Sequence, residues 1–321
     1  MRGIFIILFF VLSMGVLGCA SWWSRAAEGE TSKDSPWAGI AREAIREPSR
    51  PFQMLLQQYT PTVWSQMRKD SEFPFWMDLW GRSLNFDEGA QQVIVDPNII
   101  DSLIRLFEAP PRQDSVVHAG VEHTYGYLFS LLHTPYGYKR ARWVDGEIER
   151  GLGIPIRLLD EDATEGALLS NVTYLLASIS LIERTDLRPW LIESAPQNVH
   201  SRIVDWTRTQ PLAEIRRLIE IVRIGSRSVT LRTDFVPFHR SARRGGNSAL
   251  LIYSVLDSEL EGARLISAFP VQQAFVDRAL DPDNLGERQP VSTRYNAYVS
   301  GFTDAAQPLM GDRSVEVLRA R

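Results

Sequence analysis

Ser228-Val229-Thr230-Leu231-Arg232-Thr233-Asp234-Phe235-Val236-Pro237-Phe238, residues 228–238, sets β-branched and aromatic residues in near-alternation with polar ones. That is the pattern of a half-buried strand. A second such run, Ser248 to Leu256, follows across a polar tip at His239 to Asn247, so the two read as neighbouring antiparallel strands. Arg264 to Val271 pairs with the second across Asp257 to Gly262. Beyond it, Val271 to Leu280 reads as a short helix, Asp281 to Pro290 as a loop, and Tyr295 to Phe302 as a last strand.

Upstream of this stretch the periodicity is helical. Pro211 to Ile224 predicts a helix, since Leu212, Ile215, Leu218, Ile219 and Val222 share one face between Pro211 and Gly225. Asn198 to Thr207 reads as another helix, and Gly166 to Ile182 as a buried one. The interior Ser170, Asn171, Thr173, Ser178 and Ser180 argue against a membrane span there. Tyr138 to Val144 and Glu147 to Leu152 flank Asp145-Gly146, a hairpin signal. A helix capped by Asp114 or Ser115 runs to about Leu132. Asp96-Pro97 opens an earlier one, with Ile99, Ile100, Leu103, Ile104 and Phe107 along one face and Ala109-Pro110-Pro111 as its stop. Trp37 to Gln66 is helical in short pieces broken by Pro48, Pro51 and Pro61. Helices first and strands afterwards make the fold class α+β: a helix-rich N-terminal half followed by a small, mostly antiparallel sheet. No change of composition divides residues 37–321, which read as one domain.

The first residues carry an address. Met1-Arg2-Gly3 supplies a positive start, and the apolar run Ile4 to Leu17 is shorter than the roughly 20 residues that span a bilayer. Val16-Leu17-Gly18-Cys19 follows, ending in the only cysteine. This stretch resembles the lipobox of bacterial lipoproteins. The resemblance covers residues 1–19 alone. It implies a signal peptide over 1–18 that is cut before Cys19, and acylation of the cysteine's thiol and new amino group. Several acyl chains on one residue anchor firmly, at roughly 0.8 kcal/mol per buried methylene. Ala20 stands where an aspartate would resemble an inner-membrane retention signal, which implies the outer membrane, facing the periplasm, in a Gram-negative host. Residues 19–36 read as the lipidated cysteine and a flexible tether. Trp22 and Trp23 suit the bilayer interface, and Ala26 to Ser35 lacks any apolar period.

Composition narrows the partners. With Cys19 lipidated no disulfide is available, so the domain holds together by burial, for which a hydrophobic fraction of 44% suffices. A net charge of −4 offers no electrostatic footprint for nucleic acid. Phe73-Pro74-Phe75-Trp76-Met77, with Leu79 and Trp80, is the most aromatic patch. It reads either as core or as an exposed docking surface.

Two clusters carry chemistry. His118, Glu122, His123 and His133 supply acid–base side chains, and a histidine held by a glutamate is a general-base arrangement. The order H-x-x-x-E-H departs from the zinc-helix patterns, since five residues turn a helix by about 140° and separate the two histidines. The bland alternative is a hydrogen-bonded cluster packed among tyrosines. Arg240, Arg243 and Arg244 beside Gly245 and Gly246 form the second cluster. Guanidinium forks and glycine-freed backbone N–H groups together suit phosphate or carboxylate, against the alternative of a solvated hairpin tip. Tyr138-Lys139-Arg140-Ala141-Arg142-Trp143 is a second basic, aromatic stretch with the same two readings. Asp160-Glu161-Asp162 and Asp281 to Ser292 lack the ligand spacing of calcium loops, and no nucleophile-elbow, Walker or dinucleotide motif occurs. No cofactor or metal is implied.

Two functions follow as expectations. One is a non-enzymatic, lipid-anchored envelope protein that binds a partner protein, lipid head group or glycan through the arginine tip and aromatic patch. The other is an envelope hydrolase using His118, Glu122 and His133, with His123 or a metal.

Overall fold

In a computed structural model of the chain, the described residues are 35–72, 75–87, 89–134, 137–140, 148, 151–153, 167–180, 214–224, 226–239, 247–257, 263–281, 289–291, 297–298 and 309–319. The N-terminal expectations on residues 1–34, Cys19 included, lie outside them. So do the helix at 198–207 and the arginine cluster Arg240, Arg243, Arg244, Gly245 and Gly246.

Helix α1 (Pro36–Arg46) starts where its caps dictate. Ser35 Oγ accepts from Ala38 N at 3.3 Å and Pro36 takes the first turn. Trp37, Ile40, Ala41 and Ala44 share its buried face. Prolines then divide α2 (Phe52–Tyr59) from α3 (Pro61–Glu72), as the sequence predicts. The single turn α4 (Phe75–Asp78) carries Trp76 and Met77 inward, and Leu79 and Trp80 follow them into the core. Trp76 meets Phe107 and Tyr125 edge-on at 5.2 and 5.8 Å. These four members of the aromatic patch are therefore core, and the expected docking surface does not exist at them. Short strands β1 (Arg82–Leu84), β2 (Phe86–Asp87) and β3 (Gln92–Val93) lead to α5 (Pro97–Leu106). Asp96 caps α5 by accepting from Asn98 N at 2.9 Å.

The helix expected from Asp114 or Ser115 to Leu132 is replaced by three shorter pieces. Asp114 adopts φ +49°, which turns the chain, and the β-branched Val116 and Val117 then enter β4 (Val116–His118), antiparallel to β1. A π-helical turn (Val121–Tyr125) and a 3₁₀ turn (Gly126–Phe129) follow. The turn Asp145-Gly146 of the expected hairpin lies outside the described residues. A short antiparallel pair forms before it, between β5 (His133–Thr134) and β6 (Gly137–Tyr138), where Gly137 supplies φ +90°. Arg140, Ile148 and Gly151, expected in strands, are helical, and Leu152 N donates to Ile148 O at 3.0 Å. Helix α6 (Ala167–Ser180) is buried as predicted, with Val172, Leu175, Leu176 and Ile179 in the core. Among the described residues no helix is long and apolar enough to cross a membrane.

The second half is a six-stranded sheet in the order β10-β9-β8-β7-β13-β11, antiparallel throughout. Its strands are β7 (Glu214–Ile224), β8 (Arg227–Pro237), β9 (Asn247–Asp257), β10 (Ala263–Gln272), β11 (Gln289–Val291) and β13 (Leu309–Arg319). The two-residue β12 (Ala297–Tyr298) pairs instead with β1, so the last strand expected at 295–302 belongs to a different sheet. Helix α7 (Gln273–Ala279) matches expectation.

The helix predicted over Pro211 to Ile224 is strand β7. Its apolar spacing fits a helical face, but the run is rich in β-branched isoleucine and valine, and Ile215 and Leu218 are buried on opposite faces of the extended chain. A central strand needs that distribution, because this sheet is covered on both sides. Ile215, Val236, Leu250 and Ile252 face the helical half; Leu218, Leu231, Phe235, Leu251 and Tyr253 face a second cluster closed by Val276 of α7.

One ionic device fastens the halves together. Arg217 and Asp234 are direct cross-strand partners, joined by Nε–Oδ1 at 2.5 Å and Nη2–Oδ2 at 3.0 Å. Arg217 Nη2 also donates to Ser180 O, the last carbonyl of α6, at 3.1 Å, and Arg232 Nη2 donates to the same oxygen. Ser180 Oγ completes the set by donating to Asp234 Oδ2 at 3.2 Å. Two guanidinium groups thus meet the negative end of a helix dipole and satisfy its orphan carbonyl. Removing the carboxylate takes from the buried Arg217 its bidentate ionic partner. Asp234→Ala is expected to lower unfolding free energy by about 3–5 kcal/mol, read as a lower urea midpoint at unchanged slope.

Candidate functional site

The π-helical turn Val121–Tyr125 puts five consecutive residues in the core. It is held between β4, α5 and α6, so both Glu122 and His123 point into protein rather than water. Glu122 is 0% exposed. Ser83 Oγ of β1 donates to its Oε2 at 2.6 Å, while Oε1 has no hydrogen-bond partner among the described residues.

His123, 2% exposed, is clamped on all sides. Its Nδ1 lies 2.9 Å from Ala119 O; a carbonyl only accepts, so Nδ1 carries the proton. In the neutral ring Nε2 is then the acceptor, and it meets the Tyr127 hydroxyl at 3.2 Å and Ser267 Oγ at 3.4 Å. The ring stacks on Trp80 at 4.8 Å, and Trp80 Nε1 in turn donates to Thr173 Oγ1 at 3.1 Å. Glu122 Oε2 stands 3.9 Å from His123 Nδ1, beyond hydrogen-bond range.

Burial pushes the Glu122 carboxyl up to about 7, against the Ser83 hydrogen bond and the Lys139 charge, which both act downward. His118 moves the other way. Burial holds it down to about 4, reinforced by Arg82 and Arg264. It ends β4 rather than sitting on a helix, and its Nδ1 accepts from Gly120 N at 3.0 Å.

His133 is exposed on β5, its ring edge-on to Tyr138 at 4.9 Å. Among the described residues no hydrogen bond or ion pair joins it to Glu122, and no three acidic or histidine ligands converge on a metal position. The four residues of the expected general-base cluster are thus divided: two sealed in the core, one at a strand end, one on the surface. General-base chemistry needs the base within reach of a substrate proton, and the sealed pair offers none. Ser83, which meets Glu122, and Trp80 and Ser267, which meet His123, were not legible as site residues, because each is distant in sequence. Tyr127, four residues on, was within reach of a periodicity argument.

The second candidate, residues 240–246, connects β8 to β9 and lies outside the described residues. Its roots are firm. Phe238 is buried, Phe238 N donates to Ser248 O at 3.0 Å, and His239 N donates to Gly151 O at 2.7 Å. Gly151 has no alternative there, since a Cβ would fall on the Phe238 ring. In the other basic stretch, Lys139 pairs with Asp87 at 3.1 Å and Arg140, 1% exposed, donates to Ser130 O at 2.6 Å. Those two charges serve the fold, so the anion-binding alternative is lost at them.

No family model matches the chain, and no curated protein or solved structure does.

The depressed His118 value fixes a pH dependence. The unfolded chain takes up its proton near 6.5, while the folded one resists until about 4. Its contribution to stability is therefore complete above 6.5 and is lost as pH falls toward about 4. His118→Gln keeps a neutral acceptor for Gly120 N. The variant is expected to gain on the wild type by about 1–2 kcal/mol per pH unit descended through that window, measured by urea unfolding at a series of pH values. A pH-independent difference between the two proteins would contradict this assignment.

Proposed function

We propose that this chain is a lipid-anchored cell-envelope protein with a binding role. The observation that carries the reading is Cys19 at the end of Val16-Leu17-Gly18-Cys19, directly after the apolar run Ile4 to Leu17. Acylated there, the chain is held at one membrane face. The roughly 17 residues before α1 extend at most roughly 60 Å, so what it recognises lies near that membrane.

The arginine-rich connection between β8 and β9 is the recognising element in this reading. Arg240, Arg243 and Arg244 with Gly245 and Gly246 have the chemistry for an anionic ligand: a lipid head group, an acidic glycan or an acidic face on a partner protein. Support comes from how the connection is rooted. Its two strands are central in the sheet, paired from Val229↔Asp257 to Pro237↔Ala249, and Phe238 is packed in the core. A site rooted on rigid strands loses less entropy on binding than one on a free loop. The hydrolase alternative has less support, because Glu122 and His123 are sealed in the core while His133 stands apart from them on the surface.

Two outcomes are expected. Cys19→Ala abolishes incorporation of labelled palmitate in a bacterial host and moves the protein from the membrane to the soluble fraction; unchanged membrane retention would remove the anchor. In the Cys19→Ala chain, Arg240→Ala/Arg243→Ala/Arg244→Ala lowers co-flotation with phosphatidylglycerol vesicles to the level of phosphatidylcholine vesicles. Equal recovery with and without the three arginines would remove the anion site.

A further inference from the structure

Glu122 is a core carboxyl with half of its hydrogen-bonding capacity unused. Among the described residues only one of its two oxygens, Oε2, has a donor, Ser83 Oγ. A protonated carboxyl tolerates this, because a neutral group in the core carries no charge to be solvated. A carboxylate does not, since an unpaired buried charge is among the costliest groups a core can hold.

The neighbours cannot rescue the ionised form where they stand. His123, on the same turn, has Nδ1 committed to Ala119 O and Nε2 to Tyr127 and Ser267. Lys139, beyond β6, acts at a distance and is paired with Asp87 of β2. His118 on β4, with Arg82 on β1 and Arg264 on β10 near it, is held neutral. From α3, Asp70 accepts the Tyr125 hydroxyl and adds no positive charge. The buried face of α5 is apolar, through Ile99, Ile100, Leu103 and Ile104. From α6 the turn meets Thr173, which is shared by Thr124 and Trp80.

The backbone that carries Glu122 is the kind that can rearrange. A π-helical turn holds one residue more than an α-turn and is a marginal state, found in single turns and often where a function needs one. Glycine at position 120 precedes it and Gly126 follows.

We infer that Glu122 is a proton-controlled latch: its neutral carboxyl closes the turn Val121–Tyr125 on β1 through Ser83, and loss of that proton opens the turn. Opening lets the carboxylate reach water and frees His123 from its clamp between Trp80 and Tyr127. This inference stands apart from the anchor and the arginine connection, and neither is needed for it.

The direction with pH follows from linkage. A carboxyl raised to about 7 in the closed turn, and ordinary at 4.5 in the open one, contributes closing stability that is full below 4.5. That stability is lost as pH rises through about 7. Opening should therefore become about tenfold easier per pH unit across that window and then level off.

Hydrogen exchange of the amides of residues 119–129 in the full-length protein, corrected for intrinsic chemistry and followed from pH 5 to 8.5, tests this. The wild type is expected to lose protection on that schedule, while Glu122→Gln, neutral at every pH, shows none of the loss. The same loss in Glu122→Gln would overturn the proposal. If that variant does not fold, Lys139→Met decides the matter. Removing the cation that favours ionisation should move the levelling-off point to higher pH, and an unmoved point would overturn the latch equally.

Discussion

Asp234 is the carboxylate on which the union of helices and sheet depends. It sits opposite Arg217 in the register of β7 and β8; Arg217 donates to the last carbonyl of α6, and Asp234 accepts from the hydroxyl of the same residue, Ser180. A buried ion pair adds little net stability, because desolvation offsets most of its attraction. Its consequence is specificity. Hydrophobic contact alone would let the end of α6 slide over the sheet, whereas the bidentate pair and the shared Ser180 oxygen admit one position. Ser254 of β9, 3.4 Å from Ser180 Oγ, extends the same fixture to a third strand.

The core also holds polar side chains. Asp70, Glu122, His123, Thr173 and Arg140 are all buried. Most are matched: Tyr125 hydroxyl to Asp70, Trp80 to Thr173, Arg140 to Ser130 O. Each match converts a costly burial into a directional constraint. Glu122 is the carboxyl among them with one oxygen served and the other without a hydrogen-bond partner among the described residues. It lies in the π-helical turn, where helical, strand and sheet elements converge and where a change of charge alters packing most.

Much of the fold was legible because local chemistry agreed with tertiary demand. Asp96-Pro97 supplies both an N-cap and a first-turn proline, and α5 forms there. Pro48, Pro51 and Pro61 divide the first helices. The strands at 227–237, 247–257 and 263–272 show the alternation that a sheet requires. Where reading failed, two signals competed. Residues 214–224 satisfy a helical period and a strand composition at once, and pairing with β8 and β13 decides for the strand. Residues 116–129 have a helical look, yet Val116 and Val117 find β1 and the helix begins late, as a π-turn. The strand 309–319 went unread.

The candidate site was legible in its residue types and not in its arrangement. His118, Glu122 and His123 stand out in any reading of the chain, and a single glance at spacing excludes a zinc helix. What spacing does not hold is that Ser83 would meet Glu122, that Trp80 and Ser267 would enclose His123, or that His133 would stay on the surface. By itself the sequence determined the α+β class and the cap and proline boundaries, because those depend on neighbouring residues alone. The tertiary structure decided which period wins at β7, which aromatics become core and which carboxyl is left half-served. Those outcomes depend on partners tens of residues away, and burial rather than propensity sets their energy.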